Sequence, residues 1–147
     1  KIPTLHIMGD LKAKRIGVLS FYVEGIHYNL LVRALSDHFG IQVRGGCSCA
    51  GTYGHYLLHV TKEQSKHITE KIDLGDLSEK PGWVRLSLHP IMTEEEVDYI
   101  VDAIEQIVQQ PEHWKSFYNY SVTANEFYPV ESKMDAKAEM EKAFDLK

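Results

Sequence analysis

The densest chemistry in this 147-residue sequence lies in residues 44–50, Arg-Gly-Gly-Cys-Ser-Cys-Ala. Cys47 and Cys49 are the only two cysteines, with one serine between them. Arg44 stands five residues ahead of Cys49, on a glycine-rich turn between an extended and a helical pattern. A guanidinium and a helix N-terminus both favour thiolate over thiol, and the thiolate is the reactive species. Glycine density of this kind provides permissive backbone angles and close approach rather than packing. Local physics weighs a reactive thiol and a merely small residue about equally. A competing arrangement is a zinc site of Cys47, Cys49, His55 and His59, since zinc accepts two sulfurs and two nitrogens. The one-residue gap between the cysteines is tighter than the usual zinc spacing, so no metal site is expected.

A second candidate is Arg85, centred in Trp83-Val84-Arg85-Leu86-Ser87-Leu88. In a strand Arg85 shares a side with Trp83 and Ser87, opposite Val84, Leu86 and Leu88. Its guanidinium can offer a two-pronged donor to a carboxylate, although the strand alone favours a solvated charge. His6, His27, His89 and His113 have no comparable context and read as ordinary surface or satisfied histidines. The run Glu94-Glu95-Glu96 reads as a complement to the dipole of the helix it opens.

These residues need elements to position them. Residues 4–8 and 15–23 are apolar runs joined by a polar stretch, which predicts a strand pair. Ile26, Leu30, Leu31, Ala34, Leu35 and Phe39 then follow helical spacing, and Gly40 supplies a stop. Residues 41–44 read as a brief strand leading into the cysteine loop. Residues 53–59 and 61–72 read as helical, and residues 83–88 as a strand rich in β-formers. Thr93 and Glu96 form a capping box for the strongest helix, which carries Val97, Ile100, Val101, Ile104, Ile107 and Val108 and ends at Pro111. Beyond Trp114 no period is evident as far as Ser132, and a weak charged helix follows to Phe144. The order predicts an α+β, two-layer fold: a small, mostly antiparallel sheet with helices packed on one face. Residues 1–111 are expected to form the domain, with 112–147 an extension packing on it or on a partner.

Composition narrows the function classes. Hydrophobic residues make up 44% and charged residues 25%, an ordinary globular mix. A net charge of -5, from 21 acidic and 16 basic side chains, argues against a nucleic-acid partner. No apolar run approaches the ~20 residues of a membrane helix, and no signal segment opens the chain. Two neighbouring cysteines do not make a disulfide framework, so a reducing, cytoplasmic setting is expected.

Residues 40–50, Gly-Ile-Gln-Val-Arg-Gly-Gly-Cys-Ser-Cys-Ala, resemble the Gly-Ile-x-Val-Arg-x-Gly-x-x-Cys-Ala segment of group II cysteine desulfurases and selenocysteine lyases, which are class V pyridoxal-phosphate enzymes. Three further stretches resemble that family in the same order. They are Gly17-Val18-Leu19-Ser20-Phe21, Val84-Arg85-Leu86-Ser87-Leu88, and Met92-Thr93-Glu94-Glu95-Glu96-Val97-Asp98. The resemblance runs from about Leu5 to Val108 and implies the small C-terminal domain of a fold-type I enzyme. It implies that Arg85 grips the substrate α-carboxylate, that Cys49 attacks the substrate sulfur or assists selenium release, and that Arg44 shapes the site.

It also implies pyridoxal 5'-phosphate as cofactor, bound through a lysine of an N-terminal large domain that this sequence does not contain. The chain alone is therefore expected neither to bind the cofactor productively nor to be active. The implied partners are a small amino acid (cysteine or selenocysteine), that N-terminal domain, a second subunit in a homodimer, and a sulfur acceptor. Two departures stand out. Gly51-Thr52-Tyr53-Gly54-His55 replaces the small residue and proline that often follow the family's Cys-Ala, and Cys47 is an additional thiol. Class V aminotransferases and other class V enzymes keep an equivalent arginine without the cysteine chemistry, so the Arg85 role is common to every class V reading.

Overall fold

The computed structural model describes residues 2–47 and 51–131. Four antiparallel strands, β1 (Leu5–Ile7), β2 (Val18–Val23), β3 (Arg44–Gly46) and β4 (Trp83–Ser87), form the main sheet in the spatial order β1-β2-β4-β3. The run of β-formers thus occupies an inner strand, flanked on both sides. Strand alternation gives the sheet two unlike faces. Phe21, Val23, Val84 and Leu86 are buried on one of them. There α1 (Tyr28–Phe39) brings Leu30, Leu31, Ala34 and Leu35, and α4 (Glu94–Gln109) brings Ile100, Ala103, Ile104 and Ile107 into one core. Each fully buried aliphatic side chain contributes about 1.5–3 kcal/mol, so this seam holds helices and sheet as one body.

The helix ends follow local chemistry. His27 caps α1 through Nδ1, which accepts from the Asn29 N–H at 3.1 Å, and Gly40 closes the helix at φ 68°. Thr93 and Glu96 form the expected capping box of α4. Thr61 and Gln64 do the same for α3 (Lys62–Asp73), which follows α2 (Gly51–Leu57).

Two expectations are revised. The strand expected at 41–44 begins only at Arg44 and runs into the glycines as far as Gly46. Packing explains why: a Cβ on Gly45 would lie 2.9 Å from both Val32 Cγ2 and Asn29 Oδ1, so α1 can approach β3 only across a glycine. The stretch beyond Trp114, expected to lack regular structure, follows a short α5 (Pro111–Lys115) and contains a hairpin of β5 (Tyr118–Ser121) and β6 (Glu126–Pro129). Tyr118 and Phe127 of this hairpin belong to the same core cluster as Leu31 and Ile107. Asn125, at φ 55° in the turn, is buried; its Nδ2 donates to Tyr28 Oη and its Oδ1 accepts from Tyr120. Among the described residues no helix is long and apolar enough to cross a membrane.

Candidate functional site

The site is built from the sheet face opposite the core. In the β3–β4 ladder Arg44 is the direct register partner of Arg85, and across the β2–β4 ladder Arg85 faces Ser20. Directly opposed residues of an antiparallel pair project to the same face, with Cα atoms about 4.5–5.5 Å apart. The two guanidinium-bearing side chains therefore rise from one row of the sheet. Arg44, on the edge strand, is exposed, whereas Arg85, on the inner strand, is half-buried. Arg85 Nε is buried and has no hydrogen-bond partner among the described residues. Beside it Trp83 is buried against Gly54 of α2, where an added Cβ would sit 3.3 Å from the indole.

Neither arginine forms an ion pair among the described residues; the nearest pairing by type, Arg33 with Asp37, belongs to α1. Like charges placed directly opposite across a ladder oppose each other, by roughly 0.2–1 kcal/mol. An unsatisfied buried donor costs about 1–3 kcal/mol more. A planar anion accepting from Arg85 offsets both terms, because guanidinium and carboxylate match as a two-pronged pair.

At the far end of β3 the chain reaches Cys47, a half-buried free thiol. Cys47 lines a cavity of about 100 Å³ with Gly54, His55, Ile72, Lys80 and Pro81. His55 is held there by a 3.0 Å hydrogen bond between its Nδ1 and Ser65 Oγ. Burial holds the nearby Tyr28 phenol above its ordinary range; the Asn125 hydrogen bond opposes this, and charge on Cys47 adds to it. His59 lines a different cavity, with Gln64, His67 and Glu79. Among the described residues no three metal-ligating side chains converge, and His55 and His59 line different cavities. Cys49, the expected nucleophile, lies outside the described residues.

Two features were not anticipated. The pairing of Arg44 with Arg85 joins residues far apart in the chain, and no local pattern signals it. His27 read as an ordinary histidine, yet it caps α1 and its ring packs among Tyr28, Tyr120 and Phe127. Helical spacing read from Ile26 placed His27 inside the helix, whereas the helix starts at Tyr28 and leaves His27 as its cap. Burial lowers the His27 pKa from the usual histidine value, with the Asn125 side chain opposing the shift.

Fold and site together define a small α+β domain that presents two arginines from one row of its sheet beside a thiol-bearing segment. The family model for class V aminotransferases matches residues 1–100, and the chain belongs to that family. No curated protein matches the chain. Class V aminotransferases use pyridoxal phosphate. The lysines in view do not fit the covalent attachment of that cofactor. A lysine able to condense with an aldehyde needs a lowered pKa, which desolvation or a neighbouring cation supplies. The described lysines other than Lys71 are exposed. Lys71 is paired with Glu79 and Asp76, and its pKa is raised, first by the hydrogen bond to Glu79.

Proposed function

We propose that this chain is the small, C-terminal domain of a pyridoxal-phosphate-dependent enzyme of the cysteine desulfurase and selenocysteine lyase type. In this reading the cofactor and its lysine belong to a large N-terminal domain of the same polypeptide. The observation that carries the reading is the arginine row, with Arg85 Nε buried and unpartnered among the described residues beside Arg44. Arg85 takes the α-carboxylate of a small amino acid, cysteine or selenocysteine. Arg44 adds positive potential and closes the site on the side of the cysteine loop. Fixing the carboxylate fixes the direction in which the substrate side chain projects, and such orientation lowers the barrier of the step that follows.

The thiolate of Cys49 attacks the substrate sulfur. A new S–S bond forms as the Cβ–S bond breaks, the electron pair of the broken bond stays on Cβ, and Cβ gains a proton. Cysteine and the enzyme thiol thus become alanine and an enzyme persulfide; the cofactor, held by the large domain, would supply an electron sink when bound. The persulfide passes to a sulfur acceptor. The enzyme works as a homodimer in the cytoplasm, where neighbouring thiols remain reduced.

The test uses the full-length protein. With L-cysteine, and then L-selenocysteine, it should release alanine and leave persulfide on Cys49, while Cys49→Ala abolishes the persulfide and keeps the cofactor absorbance. Alanine and sulfide release unaffected by Cys49→Ala removes the nucleophile and leaves the carboxylate role of Arg85. A cofactor-bound enzyme that leaves both L-cysteine and L-selenocysteine unchanged makes a class V aminotransferase reaction the better reading, since the arginine row does not depend on the thiol.

A further inference from the structure

Cys47 is a nucleophile that the proposed reaction leaves unused, and it does not stand alone. It follows β3, half-buried, and lines a cavity of about 100 Å³ with Gly54, His55, Ile72, Lys80 and Pro81. Three elements assemble this cluster. Gly54 lets α2 pack on Trp83, since an added Cβ would sit 3.3 Å from the indole, and so sets His55 beside the segment after β3. From α3 comes Ser65, whose Oγ is 3.0 Å from His55 Nδ1. The loop before β4 supplies Lys80, which is exposed and forms no ion pair among the described residues.

A nucleophile beside a base that a third group orients is the arrangement that activates a thiol. With Nδ1–H donating to Ser65 Oγ, Nε2 becomes the basic nitrogen of His55. The Lys80 ammonium favours anionic over neutral sulfur. Size limits what can enter. The cavity has about 100 Å³, against the roughly 300–1,000 Å³ of sites that hold whole ligands, so it suits an end group.

We propose that Cys47 accepts sulfane sulfur: it takes the outer sulfur of a persulfide, with His55 as base, Ser65 orienting the imidazole and Lys80 beside the anionic product. The Cys47 thiol gives its proton to His55, and the thiolate attacks the outer sulfur of the donor. A new S–S bond forms on Cys47 as the donor's own S–S bond breaks. The electron pair of that bond leaves on the donor's inner sulfur, which takes up the proton. Donor persulfide and Cys47 thiol thus become donor thiol and Cys47 persulfide, with no outside oxidant. Two donors present this chemistry: a low-molecular-weight persulfide and, where the desulfurase reading holds, the persulfide on Cys49. Cys49 lies outside the described residues, but two residues of chain span at most about 7 Å, which keeps the cysteines close.

Mass spectrometry of the 147-residue chain carrying Cys49→Ala, treated with glutathione persulfide, tests the site without cofactor or substrate. Cys47 should gain the mass of one sulfur atom. His55→Ala in that background should slow the gain about 100-fold, the low end of what a positioned base contributes. Ser65→Ala should slow it less, and Ser65→Thr, which keeps the hydroxyl, should restore it. A Cys47 that gains no sulfur overturns the proposal, as does a rate indifferent to both His55→Ala and Ser65→Ala. The full-length protein with L-cysteine then identifies the donor. Sulfur found on Cys47 in wild type and lost from it in Cys49→Ala assigns the donor to Cys49. Sulfur confined to Cys49 assigns the cavity to low-molecular-weight persulfides. Failure to form alanine removes the desulfurase reading and leaves the first experiment standing.

Discussion

Arg44 and Arg85 face each other across the β3–β4 ladder, one exposed and the other half-buried with its Nε sealed from solvent. The asymmetry separates their roles. A sealed, unpartnered nitrogen gains most from a ligand, because a hydrogen bond to a charged group is worth more where water does not compete. The exposed partner contributes chiefly through its field, which salt screens.

Substitution in the full-length enzyme should reproduce that asymmetry. Arg85→Ala should weaken amino-acid binding by about 2–5 kcal/mol, the range for removing one side of a desolvated charge pair. Arg85→Lys should recover only part of this, since an ammonium keeps the charge but not the fork. Arg44→Ala should cost no more than about 1 kcal/mol, as exposed charges do, and its effect should shrink with salt. Titration of each variant with a non-reacting amino acid, followed by cofactor absorbance, reads all three. Equal losses at the two positions would contradict the division of roles.

The close approach of α1 to the sheet depends on positions with no room for a side chain. A Cβ on Gly45 would be 2.9 Å from Val32 Cγ2, and one on Gly82 would enter the Tyr28 ring. Gly45→Ala should therefore lower stability by about 1–3 kcal/mol, the usual cost of overpacking. Gly82→Ala should cost more, because the obstructing ring is itself buried and tied to Asn125. Chemical denaturation of the two variants beside the parent chain checks the order.

The same contact explains what the sequence could and could not reveal. Helical spacing from Ile26 and the Thr93–Glu96 box were readable because both ends of each signal lie within a few residues. The start of β3 was misplaced because Gly45 is a strand residue only through its packing on Val32 and its pairing with Val84. The β5–β6 hairpin was missed because its register is pinned by Asn125 contacting Tyr28 and Tyr120 rather than by a recognisable turn motif. At the site, Arg44 and Arg85 were each singled out from local sequence and again by resemblance, but their adjacency exists only once β3 folds back beside β4.

Tyr118 connects the hairpin to α1 by donating to Asp37 Oδ2 at 3.2 Å. Its pKa is raised, first by burial and then by the Asp37 charge, so the folded state favours the protonated phenol. Stability from this group is complete below the unfolded value near pH 10 and declines as pH rises above it. Tyr118→Phe should cost about 1 kcal/mol at neutral pH, the net worth of an ordinary hydrogen bond. The difference from wild type should narrow above pH 10, where only the wild-type phenol titrates. Denaturation at pH 7 and pH 10.5 compares the two, and a gap constant with pH would mean that the phenol is not held protonated by the fold.

His27 should act in the opposite direction, at acid pH. Its folded pKa lies below the histidine reference of about 6.5 because burial disfavours the imidazolium. The unfolded chain therefore binds the proton more readily. Stability is complete above pH 6.5 and falls as pH drops toward the folded pKa. Protonation also disables the cap, since Nδ1 can accept from the Asn29 N–H only while it carries no proton, and it places a cation at a helix N-terminus. His27→Asn retains a side-chain acceptor favoured at that position and cannot titrate. Denaturation midpoints between pH 7.5 and 5 should slope less steeply for the variant than for wild type. The remaining histidines, including His6 paired with Glu24, are common to both proteins and cancel in the difference. Parallel slopes would assign the acid sensitivity to other groups and leave His27 as a cap alone.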